Sequence, residues 1–199
     1  MSYRYIRRTS DYPFFHIFNR GINKQTIFKT TNDYQRFINK MFLYIQDSTA
    51  EIVCYCLMRN HFHIIMKENE IGDISKFMQR LCTSYAMYFN LKNKRSGYVF
   101  QGPYKEKTIN SDEYLLQVSA YIHNNPIEIG IHADTYQWSS YKSYLSGIDS
   151  TLLKEPILGY FTESNKVQSY QEFVTSYRDM FQGQAFNLES RPGLERVRL

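Results

Sequence analysis

Residues 52 to 66 alternate in a way that few folds can accommodate. Two apolar, β-prone runs, Ile52-Val53-Cys54-Tyr55-Cys56-Leu57-Met58 and His61-Phe62-His63-Ile64-Ile65-Met66, are separated only by Arg59-Asn60, a pair short and polar enough to reverse the chain into a hairpin. Successive side chains of a strand point to opposite faces, so His61, His63 and Ile65 share one face and Phe62, Ile64 and Met66 the other. A two-residue turn sets Cys56 across from His63 and joins Val53, Tyr55 and Leu57 to Phe62, Ile64 and Met66 as one unbroken core face. The two imidazoles are then left on a face that another part of the chain must cover.

Alternate strand positions aim neighbouring ring nitrogens at one point, and imidazole is a common ligand for divalent metals. The competing reading is a polar pair on a half-buried sheet. A structural zinc site of Cys54, Cys56, His61 and His63 is a third reading, but zinc thiolates usually come from tight Cys-x2-4-Cys turns, not from alternate strand residues. Cys54, Cys56 and Cys82 all lie in apolar runs. An odd count in that setting predicts reduced, buried thiols and a reducing compartment. With 199 residues and 43% apolar content, the chain is read as one domain, or one domain with an appendage. No secretory leader and no apolar run of membrane-spanning length is found, so a soluble, cytoplasmic protein is expected.

Charge is unevenly distributed. Residues 1–110 hold 17 Lys and Arg against 8 Asp and Glu, whereas residues 111–199 hold 7 against 11. The basic part contains the histidine strand and is interleaved with many of the 18 tyrosines and 14 phenylalanines. Cations that track phosphates and rings that stack on unpaired bases suit a groove for single-stranded nucleic acid. The alternative is a solvated basic surface over a tyrosine-rich core. Arg20, Lys105 and Lys107 are the expected phosphate contacts.

In chain order, a basic lead (Arg4, Arg7, Arg8) precedes a strand over Tyr12 to Arg20, with Phe14, His16 and Phe18 on one face. Gly21 to Lys29 reads as a loop. Thr31-Asn32 is read as the cap of a first helix ending near Asp47, and Gly72-Asp73 opens a second, closed by the basic turn at 92–97. A fourth strand is expected over Tyr98 to Ile109, interrupted at Gly102-Pro103. Strand, helix, strand, strand, helix, strand is the split βαβ order of a ferredoxin-like α+β sandwich. Two helices cover one face, and the histidine face awaits the next element. That element is a helix with Asn110 as its cap, Glu113 in the capping-box position, and an end near Asn125 enforced by Pro126. Its buried stripe is Leu115, Val118 and Ile122. Gln117, Tyr121 and Asn125 form a polar face, so Tyr121, opposite a His-x-His pair, becomes a candidate nucleophile.

Taken together, four segments resemble the HUH single-tyrosine transposases of the small insertion-sequence type, most closely their REP-associated branch. They are His16 to Phe28 with its Asn-Arg-Gly loop, Cys56 to Ile65, Phe100-Gln101-Gly102-Pro103-Tyr104-Lys105, and Tyr121-Ile122-His123-Asn124-Asn125-Pro126-Ile127. The likeness spans about residues 12 to 145. It implies that Tyr121 is the nucleophile, that His61, His63 and Asn125 bind Mg²⁺ or Mn²⁺, and that the substrate is single-stranded DNA with hairpin structure. The chain departs from the family at Arg59, where proline is frequent, and at Asn125, where glutamine is; His123 is the alternative third ligand. The resemblance divides the chain into a catalytic domain, 1–145, and a helical C-terminal extension and tail, 146–199, acting as monomer or homodimer.

The chemistry follows from the residue types. A hydroxyl attacking a phosphodiester needs the non-bridging oxygens neutralised and the leaving oxygen stabilised, which a divalent cation does. A tyrosyl phosphodiester is readily reopened because phenolate, of pKa about 10, leaves more easily than an alkoxide. No nucleotide-binding Gly-x4-Gly-Lys-Ser/Thr motif is present, so cutting and rejoining would conserve bond energy in the phosphotyrosine. The other functions open at this stage are a rolling-circle initiator or relaxase and a catalytically idle DNA-binding regulator. Beyond Tyr121, an aromatic segment at 138–145 and an amphipathic helix from Val167 to Phe181 are expected.

Overall fold

The computed structural model describes residues 12–147, 151–161 and 164–181. The basic lead to Asp11 and the expected tail from Gln182 lie outside the described residues. Four strands, β1 (Phe14–Arg20), β2 (Glu51–Met58), β3 (His61–Lys67) and β4 (Lys105–Ile109), form one antiparallel sheet in the order β2-β3-β1-β4. Helices α1 (Thr31–Ile45) and α2 (Asp73–Lys92) cover one face. Helix α3 (Asp112–Asn124) covers the other, followed by α4 (Tyr141–Ser146), α5 (Glu155–Leu158) and α6 (Lys166–Phe181). The fold is thus the α+β split βαβ arrangement expected from the order of elements. Among the described residues no helix is long and apolar enough to cross a membrane.

The hairpin forms in the expected register, Cys56 opposite His63 and Met58 opposite His61, around the turn at Arg59-Asn60. Leu57, Tyr55, Phe62 and Ile64 meet α1 and α2, where the Phe37 ring packs at 5.1 Å from Phe62. One residue departs from expectation. A β-bulge between Ile52 and Cys54 takes Val53 out of the alternation, and Ile52 pairs with Met66 in its place.

Three boundaries also differ from the sequence reading. Helix α1 is capped by Thr30, because Asp33 at its third position reaches back to the Thr30 amide (2.8 Å). Helix α3 is capped by Ser111 and not Asn110, since the Ser111 hydroxyl accepts the Tyr114 amide (3.2 Å). The fourth strand is only its second half; Phe100 makes an isolated bridge to Gly21 before Gly102-Pro103 interrupts the pairing.

The outer edge of β2 is covered by chain from the C-terminal third. Leu57 donates to the Trp138 carbonyl (2.9 Å), Ser140 to that of Tyr55 (3.0 Å) and Leu153 to that of Ile52 (2.8 Å). Backbone groups that would otherwise template a foreign strand are thereby paired. Trp138 lies flat on Tyr34 at 4.6 Å, which fastens this segment to α1.

Helix α3 is buried on two sides. Leu115, Val118 and Ile122 face the sheet, while α6 lies against its back, and Ser119 and His123 are fully buried. A directional run of hydrogen bonds crosses this layer. The Tyr55 amide donates to Ser140 Oγ (2.8 Å), which lies 2.9 Å from His123 Nε2. His123 Nδ1 lies 2.7 Å from the Tyr170 hydroxyl, which donates to Ser119 Oγ (3.1 Å), which in turn donates to the Leu116 carbonyl (2.8 Å). Ser119 gives its proton to the Leu116 carbonyl and Tyr170 gives its own to Ser119, which draws the His123 proton to Nδ1, while Ser140 Oγ has the Tyr55 carbonyl (3.1 Å) as a second acceptor beside His123 Nε2.

Candidate active site and DNA-binding cleft

Three elements converge on the face of the sheet opposite α1 and α2. The tight turn at Arg59-Asn60 sets where β3 begins, and the loop after β1 clasps that turn. The Gly21 amide donates to the Asn60 carbonyl (2.8 Å), the Ile27 and Phe28 amides both donate to that of Arg59 (3.0 Å each), and Asn60 Nδ2 donates to the Lys24 carbonyl (3.2 Å). A side chain at Gly21 would collide with the Gln25 carbonyl at 2.2 Å, so glycine is required for the loop to fold back. His61 is thereby fixed at the first position of β3, opposite Arg20, and His63 lies opposite Phe18.

Helix α3 brings Tyr121 over these rings. Its ring centroid is 5.5 Å from that of His63 and 6.4 Å from that of His16, both in edge-on geometry. Asn125, one turn later, donates from Nδ2 to the Tyr121 carbonyl (2.9 Å) and turns Oδ1 to within 3.3 Å of His61 Nε2. The other nitrogen of His61, Nδ1, faces Asn60 Oδ1 at 2.7 Å. Each amide is held by the N–H₂ contact just described, so both His61 nitrogens face acceptor oxygens.

This pattern tests whether a cation fits. Burial holds the His61 pKa below its ordinary value against the opposing Asn125 hydrogen bond, with the Arg20 charge adding to the decrease. A neutral ring has one N–H and can satisfy one of the two oxygens. With the proton on Nδ1 toward Asn60, the Nε2 lone pair faces the Asn125 oxygen lone pairs, and a cation there would bind both. His63 is also kept neutral, its pKa lowered by burial and then by the charges of His16 and His61. Neutral imidazole is the form that ligates. Among the described residues no group of three His, Cys, Asp or Glu side chains stands ready for a metal; a cation at this point would meet two imidazoles and an amide.

The cleft around these groups has a volume of about 460 Å³. Five cations line it, Arg20, Lys24, Arg59, Lys105 and Lys107, against the single carboxylate of Glu128. Burial pushes the Glu128 pKa up, which favours its neutral form. Such a surplus attracts a polyanion. Of the three expected phosphate contacts, Arg20 and Lys105 are exposed, with Arg20 donating through Nε to Gln101. Lys107 is 7% exposed and lies beside His16 on the neighbouring strand, so it adds potential to the floor of the cleft more than a reaching arm.

The alternative third ligand, His123, does not face this cleft. It lies on the back of α3 with both nitrogens engaged, and burial lowers its pKa to about 3. Cys54 and Cys56 are buried thiols whose pKa burial raises, and Cys82 is a partly buried one; among the described residues no group of three His, Cys, Asp or Glu side chains, these included, is disposed to hold a metal. Sequence reasoning missed Asn60, Lys24, Arg59 and Gln101. No periodicity marks them, because they sit on loops whose mutual approach is a tertiary fact. His16 carried a signal that was not used: a histidine amid Phe14 and Phe18 on a buried strand face.

Comparison with known proteins follows the same residues. The pattern described as "Transposase IS200 like" matches residues 13–125, from the start of β1 to Asn125. Among solved structures, one described as a REP-associated tyrosine transposase bound to a REP hairpin superposes with a TM-score of 0.60. It is 18% identical in sequence and covers 75% of this chain and 90% of its own. A second, described as a putative transposase from Deinococcus radiodurans R1, has a TM-score of 0.42 at 13% identity, covering 60% of this chain and 97% of its own. A search of curated proteins finds no match.

Proposed function

This chain belongs to the family of IS200-like transposases, and from that premise we propose that it cuts and rejoins hairpin-bearing single-stranded DNA through a covalent bond to Tyr121. The observation that carries the reading is the convergence of Tyr121 of α3 and Asn125 just past its end onto His61 and His63 of β3, with Tyr121 and both histidines lining one basic cleft. The solved structure of the same fold is described as bound to a REP hairpin, which supports a hairpin as the substrate.

His61, His63 and Asn125 would hold Mg²⁺ or Mn²⁺. When bound, the cation neutralises the scissile phosphate and stabilises the departing oxygen. Arg20, Lys24 and Lys105 at the rim hold flanking phosphates and set the strand direction. Tyr121, fixed through the Asn125 bond to its carbonyl, presents its hydroxyl to phosphorus. Its oxygen bonds to phosphorus as the bond to the 3′ oxygen breaks, its proton leaves, and a proton is taken up by the released 3′-hydroxyl. One strand end is retained as a 5′-phosphotyrosine. Attack by a 3′-hydroxyl reverses the step without a nucleotide cofactor.

The test is incubation of the full chain with an end-labelled hairpin oligonucleotide and Mn²⁺, followed by denaturing electrophoresis. Wild type should yield a protein-linked labelled strand and a free 3′-hydroxyl end. Tyr121→Phe should bind the hairpin as wild type does and yield no adduct. An adduct on another tyrosine, or normal cleavage by Tyr121→Phe, overturns the assignment. Binding with no metal-dependent cleavage in wild type would identify a DNA-binding regulator in place of a nuclease.

A further inference from the structure

The His63 ring is held by a group that the proposed chemistry has not used. Its Nδ1 lies 2.9 Å from Nε2 of His16 on β1, with the two buried rings stacked at 5.1 Å. Nitrogens at that distance share one proton, so one ring donates and the other accepts. His16 Nδ1 is buried with no hydrogen-bond partner. An apolar residue at position 16 would avoid the cost of that orphan, about 1–3 kcal/mol, and a buried polar group left short of partners in this way calls for a reason other than packing.

The reason lies in the parallel with His61. There Asn60 Oδ1 accepts from Nδ1 at 2.7 Å and leaves Nε2 as the free nitrogen. His63 has Nδ1 turned to His16, so it too can offer only Nε2. A ring that ligates through one nitrogen characteristically donates the other N–H to a fixed acceptor, which sets its tautomer and raises its basicity. We propose that His16 is the positioning residue of the site: the acceptor that keeps the His63 proton on Nδ1 and leaves Nε2 bare for a divalent cation. His16 then carries its own proton on the partnerless Nδ1, which accounts for the orphan as the cost of orienting a ligand.

This inference rests on the metal reading above, and its test separates the two. The full chain and its His16→Phe and His16→Gln variants are titrated with Mn²⁺, counting the free ion by electron paramagnetic resonance, with long-range ¹H–¹⁵N spectra of the imidazoles recorded in Mg²⁺. Wild type should show His63 protonated on Nδ1. His16→Phe keeps the ring shape without the acceptor and should bind Mn²⁺ about 10- to 100-fold more weakly, while retaining hairpin binding in chelator. His16→Gln restores an acceptor and should recover most of the affinity. Wild-type affinity in His16→Phe, or equal losses in both variants, would reduce His16 to packing. If His16→Phe fails to fold, the wild-type spectrum decides, and a His63 proton on Nε2 in Mg²⁺ overturns the inference. Wild type that binds no Mn²⁺ defeats the metal reading itself, and this inference with it.

Discussion

Tyr170→Phe removes a single oxygen from the center of the layer between α3 and α6. That oxygen accepts from His123 Nδ1 at 2.7 Å and donates to Ser119 Oγ at 3.1 Å, and Tyr170 itself is 0% exposed. Phenylalanine fills the same space, so no cavity term arises. Ser119 keeps its bond to the Leu116 carbonyl and loses only an incoming donor. His123 loses the acceptor for its one N–H at a site water does not reach, a loss of about 1–3 kcal/mol. For a chain of this size each kcal/mol lowers the melting temperature by about 2–4 °C. A central value of about 2 kcal/mol therefore predicts a drop of about 4–8 °C by calorimetry. Combining the change with His123→Leu should show a coupling of about 1 kcal/mol or more, because the second substitution removes the stranded donor. Hairpin binding should be unchanged, since Tyr170 does not line the cleft. A melting point within a degree of wild type, or strictly additive losses, would show that the hydrogen-bond run does not exist in solution.

The same burial makes His123 a marker for acid sensitivity. Its folded pKa of about 3 is depressed from an ordinary 6.5, so stability is complete above 6.5 and falls as pH descends toward 3. By linkage the loss is about 2 kcal/mol per such histidine between pH 6.5 and 5, and chemical denaturation across that range, with an NMR titration showing His123 still neutral at pH 5, checks it. Hairpin affinity should fall with salt on a log–log slope of several units, and Arg20→Ala should shrink that slope by about one; fluorescence anisotropy over a salt series that finds no slope would contradict the phosphate-contact role. His61→Ala should abolish metal-dependent cleavage with little change in melting point, because His61 sits at the rim. His63→Ala should cost stability as well, because its ring is buried against His16. Asn125→Ala should be milder in single-turnover cleavage than either, since water can replace a weak amide ligand.

The hairpin and its histidine face were legible because a strand period of two is written directly in the side chains from Cys54 to Met66, and the register followed from a two-residue turn. The placement of Tyr121 and Asn125 side by side was legible for a related reason: they stand four positions apart, about one helical turn, at the end of α3. What could not be read was set by contacts between distant segments. Asn60 acquires its place from the Lys24 carbonyl, His16 from a ring 47 positions away. Ser111 outcompeted Asn110 as cap through a choice of one residue that local sequence barely distinguishes. His123 lay off the Tyr121 face and read more readily as a core or capping histidine than as a ligand, and α6 supplied the Tyr170 partner that holds it in the core.

The bulge at Val53 determines where this sheet tolerates a change of length. Parity along β3 is counted from the turn at Arg59-Asn60, and β2 keeps step with it only as far back as Cys54; beyond the bulge Glu51 and Lys67 are matched independently and form an ion pair at 3.5 Å. A residue gained or lost before Cys54 is absorbed by making or erasing the bulge. One gained or lost between Met58 and His61 has no such slack, and would rotate both imidazoles to the helix-covered side while bringing Phe62 and Ile64 to the cleft. Insertions and deletions among related chains should therefore collect before position 54 and be absent from the turn, with the bulge acting as an expansion joint that isolates the histidine pair from drift at the far end of the strand.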